Sequence, residues 1–249
     1  MKKRSKIGLG IFLGILGVIV IAVVAVAVLL FGGPTFRPPQ FTQQDMESVT
    51  QKLPVMRQLD GLSSGGMLAE PEHGVIGFSE GELNALLSVN SANTVNYLNA
   101  NVPREILPDA GMISIPADGI SAAVRNDRLV LYLKLGDCSS LTGNATIDGY
   151  LTGSVITAVF KGNGKIQLES FRLNNLDAGM VPDFIAENIP GYSGGGLVEF
   201  INSKCADLLN GIFTDIFMAQ DIESINILDG TVTVEGGFYT RVVPSCAIE

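Results

Sequence analysis

An uninterrupted apolar run near the amino terminus is the feature that most constrains how this 249-residue chain folds. The run begins at Ile7 and ends at Phe31, and residues 7–31 are all Gly, Ala, Val, Leu, Ile or Phe. As a helix it would extend over roughly 37 Å, enough to cross a hydrocarbon core of about 30 Å with some tilt. The run therefore predicts a transmembrane helix that holds the rest of the chain at a membrane surface.

The charges around this run predict its orientation. Four basic residues precede it, namely Lys2, Lys3, Arg4 and Lys6. Because basic flanks stay on the cytoplasmic side, we expect a single-pass signal-anchor protein of the cell membrane, with a cytoplasmic amino terminus and an extracytoplasmic body. The alternative is a cleaved signal peptide with residues 25–27 (Ala-Val-Ala) at the cleavage site. The apolar core of a signal peptide is usually shorter, about 7 to 15 residues, which favours a retained anchor.

The net charge limits the classes of partner. The chain carries a formal charge of −9, and its first 33 residues contribute only positive charges, so the remainder is more acidic still. An acidic surface repels phosphate backbones, and we therefore expect no nucleic-acid partner. The expected partners are the bilayer, through residues 7–31, a lipid or other apolar ligand, and another protein of the cell envelope.

The pattern of prolines, glycines and apolar residues divides the chain into three parts. Residues 1–33 form the cytoplasmic tail and anchor, and residues 34–74 form a proline-containing stalk, a short helix capped by Thr42 and Asp45, and a loop. Residues 75–249 form the extracytoplasmic domain. This domain opens with a short strand and a short helix, for which Ser79 and Glu82 have the spacing of a capping box.

Alternating apolar residues predict three hairpins in the domain. One turns at Asn126 and Asp127, and another turns at Asp229 and Gly230. A third, longer ribbon joins residues 145–160 to residues 166–173 through a glycine-rich turn at residues 161–165. Strands of this length indicate a twisted, curved antiparallel sheet.

Apolar residues at helical spacing predict one long amphipathic helix over residues 197–218. The predicted fold class is therefore α+β, with an amino-terminal transmembrane helix followed by a curved antiparallel sheet packed around this long helix. The interior is either an elongated apolar cavity or a filled core. The candidate ligand-lining residues on the helix are Leu197, Ile201, Leu208, Ile212, Phe213 and Ile216.

The sequence offers little support for catalysis, and we assign no catalytic residue, metal site or cofactor. His73 is the one histidine, and it lies between acidic and glycine residues that predict a solvated loop. Paired carboxylates such as Glu80 and Glu82 have the spacing of helix caps and surface turns. The glycines of residues 194–196 precede a helix but lack the Lys-Ser/Thr ending of a phosphate-binding loop, which favours a joint.

The three cysteines lie far apart in the sequence, which excludes the short spacings of zinc and redox sites. Cys205 falls on the apolar stripe of the predicted long helix, which favours a buried position. Cys138 and Cys246 are then the candidate disulfide in an exported body, either bridged or both free.

The stretch of residues 77–87, Gly-Phe-Ser-Glu-Gly-Glu-Leu-Asn-Ala-Leu-Leu, resembles the opening of small bacterial envelope proteins of the YceB-like and YpmS-like families. The late helix and the final Asp-Gly hairpin are also similar. These families resemble the tubular lipid-binding superfamily, whose members wrap a curved sheet around a long helix and hold acyl chains. The resemblance implies the same fold and lipid binding here, and it implies no catalytic residue.

Three hypotheses of function follow. The leading one is a non-catalytic, membrane-anchored protein that binds a lipid or other apolar ligand outside the cytoplasm. The second is a structural or adaptor module that binds another envelope protein through an exposed apolar patch or an edge strand. The third is an envelope lipid hydrolase, which requires acids or a serine that converge on the mouth of a pocket.

Overall fold

The computed structural model describes residues 36–58, 66–101, 114–137, 151–180, 187, 192, 194–204 and 206–244. Its helices are α1 (Gln43–Lys52), α2 (Glu80–Asn101), α3 (Leu197–Lys204) and α4 (Ala206–Ile216), with short 3-10 helices at Pro54–Gln58 and Ala178–Met180. Its strands are β1 (Gly66–Leu68), β2 (Glu72–Ser79), β3 (Ile120–Arg125), β4 (Arg128–Lys134), β5 (Val155–Leu173), β6 (Leu176–Asp177), β7 (Ala219–Leu228), β8 (Thr231–Phe238) and β9 (Val242–Pro244).

The strands form an open sheet whose described ladders are all antiparallel. The order across this sheet is β2-β8-β7-β5-β4-β3, and β6 pairs with the far end of β5. Strands β1 and β9 form a separate two-stranded sheet. Because β2 and β3 lie at opposite edges, the main sheet does not close into a barrel.

Two predicted hairpins are confirmed, and their turns have the backbone geometry that the sequence indicates. Asn126 and Asp127 have φ values of 51° and 55° between β3 and β4, and Asp229 and Gly230 have φ values of 50° and 75° between β7 and β8. Positive φ at both central residues is typical of type I′ turns, whose twist matches that of the flanking strands. Short polar residues and glycine adopt this conformation at little cost.

The third predicted hairpin is wrong, because β5 continues as one strand through the glycine-rich segment. Val155 to Phe160 pair with β4, and Asn163 and Gly164 pair with β7. A Cβ atom at Gly162 would lie 2.8 Å from the Ile225 carbonyl oxygen, so glycine allows β5 to approach β7 closely at this point. The glycines therefore let one long strand pass from one partner to another rather than reverse its direction.

The predicted fold class is wrong in two respects, of which the first concerns the membrane. No helix in the described part of the chain is both long enough and apolar enough to cross a bilayer. The transmembrane, single-pass architecture is therefore not supported, and residues 7–31 lie outside the described residues. The longest described helix, α2, is rich in Asn, Ser and Thr.

The second error concerns how the sheet meets the helices. The segment predicted as one long helix over residues 197–218 is helical over α3 and α4, and Cys205 between them lies outside the described residues. The longest described helix is α2, which packs against α4, β3 and β2, while α4 also packs against β7 and α3 packs against β5. The open sheet thus packs against α2, α3 and α4 instead of curving around a single long helix.

Helix α2 is longer than its apolar pattern predicts because part of its buried face is polar. The sequence indicates a short helix and shows no period after Asn90. In the structure the helix continues to Asn101, and Asn90, Ser91 and Thr94 are all buried. An apolar periodicity cannot detect a face that packs through amide and hydroxyl groups.

The first turn of α2 hydrogen-bonds the backbone of the edge strand β3. The Asn84 side chain accepts a hydrogen bond from the Ala122 N–H (2.8 Å) and donates one to the Ala122 carbonyl (2.9 Å). A carboxylate oxygen of Glu80 accepts from the Val124 N–H (2.8 Å). These side chains therefore satisfy backbone groups of β3 that would otherwise be open to a further strand.

The same turn also holds α1. The buried Glu82 carboxylate accepts hydrogen bonds from Lys52 Nζ (2.6 Å), from Ser48 Oγ and from the Ser79 N–H (2.8 Å). Burial raises the pKa of Glu82, but these hydrogen bonds lower it more, so its pKa lies below the usual carboxyl value. The hydrogen-bonded Glu82 carboxylate thus stabilises the fold at neutral pH. This contribution is lost as the pH falls through the lowered pKa, because the carboxylate is then protonated.

A chain of aromatic rings crosses the core. Phe78 of β2 lies 5.3 Å from Phe217 and Phe160 of β5 lies 5.1 Å from Phe213, measured between ring centroids. Phe213 and Phe217 stack on one another at 6.2 Å. Since all four rings are buried, Phe213 of α4 and Phe217 just after α4 join this helix to both halves of the sheet.

We expect the substitution Asn84→Leu to lower the free energy of unfolding by about 2–4 kcal/mol, because the N–H and carbonyl of Ala122 would lose their partners in a buried site. Urea denaturation followed by circular dichroism measures this change. The matched control is Asn93→Leu at an exposed position of the same helix, for which we expect a change within about 0.5 kcal/mol. Equal destabilisation by both substitutions would contradict the assigned role of Asn84.

Candidate functional site

A cleft of about 710 Å³ lies between α3 and α4 on one side and β5 and β7 on the other. We call it the main cleft. It lies where β5 leaves β7, since the two strands are registered at Asn163 with Asn226 and at Gly164 with Ile225, and β5 then runs on to pair with β6. The diverging strands thus leave a gap beside the two helices.

Helix α3 is held beside this gap by Asn202. Its side chain accepts a hydrogen bond from the Leu168 N–H (3.0 Å) and donates one to the Leu168 carbonyl (2.7 Å). The amide thus pairs with β5 much as a neighbouring strand would. Because Asn202 also lines the main cleft, one side chain both positions the helix and forms part of the wall.

The main cleft combines an apolar floor with a charged rim. The floor consists of buried or half-buried apolar side chains from β5, α4 and β7. These are Ile166, Leu209, Ile222 and Ile225. The rim consists of the exposed charged residues Lys165, Glu199, Asp207 and Glu223. Three carboxylates against one ammonium group make the rim acidic, and the amides of Gln167, Asn202 and Asn210 add hydrogen-bonding groups.

The structure places the candidate ligand-lining residues mostly in the core. Ile212, Phe213 and Ile216 belong to the buried cluster, and Ile201 packs against it. Leu197 is half-buried at the start of α3, and the side chain of Leu208 lies outside the described part of the structure. None of the six is among the described residues that line the main cleft, and their contact with a ligand stays a prediction.

Sequence reasoning missed the residues that do line the cleft. The predicted residues lie at the centre of the apolar stripe of residues 197–218. The residues that line the cleft, such as Leu209 and Asn210, lie at the edge of this stripe. A residue at the boundary between an apolar and a polar face contacts both the core and solvent. Residues at this boundary of an amphipathic helix are therefore the sequence feature that indicates a cleft with both apolar and polar lining.

A smaller cleft of about 380 Å³ lies at the start of α2, beside β3. Its lining includes the guanidinium-bearing Arg37 and Arg125, together with Tyr132 and the Glu80 that binds the Val124 N–H. The carbonyl of Arg37 accepts a hydrogen bond from Ser121 Oγ (2.9 Å), so the segment before α1 covers part of the edge strand.

A buried polar cluster joins α2 to the end of α4. Asn90 is only 1 % exposed, and its side-chain amide donates to the Ile216 carbonyl at 3.3 Å. Its Oδ1 atom has no hydrogen-bond partner among the described residues. Thr94 Oγ1 donates to an Asp215 carboxylate oxygen at 3.4 Å. Burial raises the pKa of Asp215 and outweighs this hydrogen bond, which lowers it.

The structure places His73 in strand β2 and not in a loop. Its Nε2 atom lies 3.3 Å from a carboxylate oxygen of Glu223, and both side chains are exposed. The imidazole thus contacts a carboxylate instead of a hydroxyl or thiol nucleophile.

Two other predictions concern the glycine joint and the disulfide. The three glycines of the predicted joint at residues 194–196 all have positive φ. The candidate disulfide residues Cys138 and Cys246 lie outside the described residues.

Comparisons of the chain with protein-family models, with curated proteins and with solved structures give no match. The resemblance to YceB-like and YpmS-like proteins therefore stays a prediction. Function has to be argued from the geometry and charge of the clefts.

We expect Asp215→Asn to raise the free energy of unfolding at neutral pH. Because the pKa of Asp215 is raised by folding, the folded state binds more protons than the unfolded state between the ordinary and the raised pKa, and stability falls as the pH rises through that window. The amide has no charge to bury, so its advantage should shrink as the pH falls. Urea denaturation from pH 4 to pH 8 measures both trends, and a variant that is less stable than the natural chain at every pH would contradict this account.

Proposed function

We propose that this is a non-catalytic binding protein that holds an amphiphilic ligand in the main cleft. The observation that supports this proposal is the apolar floor beneath an acidic, amide-rich rim. Such a site favours a molecule with a hydrocarbon part and a polar head, because apolar surface removed from water contributes about 25 cal/mol per Å² while the rim supplies orientation.

The size of the cleft is compatible with this ligand class. A volume of about 710 Å³ lies within the range of about 300–1,000 Å³ that is typical of small-molecule sites. Ile225 is fully buried and the other floor residues are half-buried, so the floor is joined to the core and does not need to form on binding.

The rim predicts which head group is preferred. Glu199, Asp207 and Glu223 would repel an anionic head and attract a cationic or zwitterionic one, with only Lys165 of opposite sign among the described lining residues. We therefore expect a zwitterionic amphiphile to bind more tightly than an anionic one with the same hydrocarbon chain.

The resemblance of residues 77–87 to envelope proteins of the tubular lipid-binding type supports the same ligand class. The cellular location of this binding stays a prediction from the charges beside residues 7–31.

The adaptor and hydrolase hypotheses also stay predictions. Crosslinking in intact cells followed by co-purification tests the former, and loss of lipid cleavage on substitution of cleft residues tests the latter.

The proposal is tested by filling the cleft. Ala206 is exposed and lines the main cleft, so Ala206→Trp should block it without removing a core contact. We expect the full-length chain to bind lysophosphatidylcholine saturably below its critical micelle concentration, and we expect Ala206→Trp to weaken this binding at least tenfold, or about 1.4 kcal/mol. Isothermal titration calorimetry measures both affinities.

The matched control is Ala92→Trp, which adds the same aromatic ring at an exposed position of α2 away from the main cleft. It also controls for adsorption of the amphiphile to residues 7–31, which both variants retain. Equal binding by Ala206→Trp and Ala92→Trp would refute a ligand in this cleft. Tighter binding of lysophosphatidylglycerol than of lysophosphatidylcholine would contradict the role given to the rim.

A further inference from the structure

Three potential metal ligands meet on adjacent strands at one side of the sheet. His73 comes from β2, Glu235 from β8 and Glu223 from β7. One donor atom from each lies within 4.8 Å of the other two, and His73 Nε2 lies 3.3 Å from Glu223 Oε1. We call these residues the His73 cluster.

The strand register explains why these three residues converge. His73 is opposite Gly237 and Glu235 is opposite Val75 between β2 and β8. Glu235 is also opposite Ser224 of β7, and the register shifts between Ile222 and Ser224, which leaves Glu223 as an additional residue. Such a bulge redirects a side chain relative to the regular pleat, and here it brings the Glu223 carboxylate to the imidazole.

Glycine in β8 permits this bulge. A Cβ atom at Gly236 would lie 2.3 Å from the Asp221 carbonyl oxygen and 3.1 Å from Ile222 Cα. No other residue could be placed there without moving the backbone of β7. The position of Glu223 therefore depends on a close contact between two strands and not on a flexible loop.

The geometry points to a binding site for a divalent transition-metal ion, with Zn²⁺ as the best fit, in the His73 cluster. Donors held at about 2.0–2.2 Å from a tetrahedral zinc ion lie roughly 3.3–3.6 Å apart, and His73 Nε2 lies 3.3 Å from Glu223 Oε1. Imidazole nitrogen with carboxylate oxygen is a donor set that zinc accepts, whereas calcium and magnesium prefer oxygen alone.

The charges of the cluster also favour a cation. Glu223 and Glu235 bring two carboxylates close together, and within the described residues neither forms an ion pair with a lysine or arginine. A divalent ion between them would offset their mutual repulsion. Ser224 Oγ donates to a Glu235 carboxylate oxygen at 2.9 Å, which orients this ligand from outside the coordination shell.

The site would have an open coordination position. The side chains of His73 and Glu223 are 59 % and 53 % exposed, so an ion can enter from solvent and water can complete its coordination. Three protein ligands with one open position distinguish exchangeable or reactive zinc sites from closed structural ones. Glu223 also lines the main cleft, which places the site at its edge, but the metal site does not depend on the proposed ligand.

The single histidine of the chain makes a direct test possible. The full-length chain is treated with a chelator, desalted and titrated with Zn²⁺ alone, while the imidazole resonances of His73 are followed by nuclear magnetic resonance. We expect these resonances to shift and to saturate at one equivalent. We expect Glu223→Gln and Glu235→Gln each to weaken the dissociation constant read from this shift at least tenfold.

The matched control is Glu72→Gln, which removes an exposed carboxylate from the residue next to His73 but outside the cluster, and it should leave the affinity unchanged. His73→Ala should abolish the one-equivalent event in calorimetry, which separates this site from zinc bound by the three cysteines. Resonances that do not respond to Zn²⁺, or affinities that are equal in Glu235→Gln and Glu72→Gln, would overturn the proposal.

Discussion

The rest of the fold depends on the hydrogen bonds that the start of α2 forms with β3 and α1. In the run of residues 79–84, Glu80 and Asn84 bind the edge strand β3, while Glu82 binds Lys52 and Ser48 of α1. A Cβ atom at Gly81 would lie 2.7 Å from the Asp45 carboxylate, so glycine lets this side chain lie against the start of α2. Glu80 and Asn84 therefore link α2 to β3, and Glu82 links it to α1. Because Glu82 and Asn84 are buried, the loss of either side chain leaves a partner group without a hydrogen bond.

Asparagine side chains repeatedly take the place of a neighbouring strand in this protein. Asn84 pairs with both backbone groups of Ala122, and Asn202 pairs with both of Leu168. Asn174 accepts from the Val155 N–H through its side chain and donates to the Val155 carbonyl through its backbone. An amide carries a donor and an acceptor at the spacing of a peptide group, so helices and turns can cover strand edges. Asn84 covers the edge strand β3 of the open sheet in this way, and Asn202 also lines the cleft where β5 leaves β7.

The pKa values of the carboxylates in the protein interior differ according to their partners. Glu82 accepts hydrogen bonds from Lys52, Ser48 and the Ser79 N–H, which hold its pKa low against the effect of burial. Burial raises the pKa of Asp215, and the hydrogen bond from the Thr94 hydroxyl does not offset this effect. The rim carboxylates of the main cleft, which include Glu223 of the His73 cluster, are exposed, so they contribute little to stability and remain available to a ligand or an ion.

The sequence by itself determined the local features of this protein. Both helix caps and two hairpin turns were predictable, because a capping box and a turn with positive φ depend on residues three or four positions apart. The course of β5 and the length of α2 were not predictable, since they depend on which distant element covers each face. The polar face of α2 is buried only because α4 and β3 supply partners, and the glycines of β5 extend a strand only because β7 lies beside them.

Tertiary structure alone decided the candidate sites. The walls of the main cleft come from residues 164 to 225, and the His73 cluster joins residues that lie some 150 positions apart along the chain. Such convergence is set by strand order and by a bulge, and neither leaves a period in the sequence. Local rules act through short-range hydrogen bonds and backbone sterics, whereas a site that binds is formed by packing between elements that the chain brings together only when it folds.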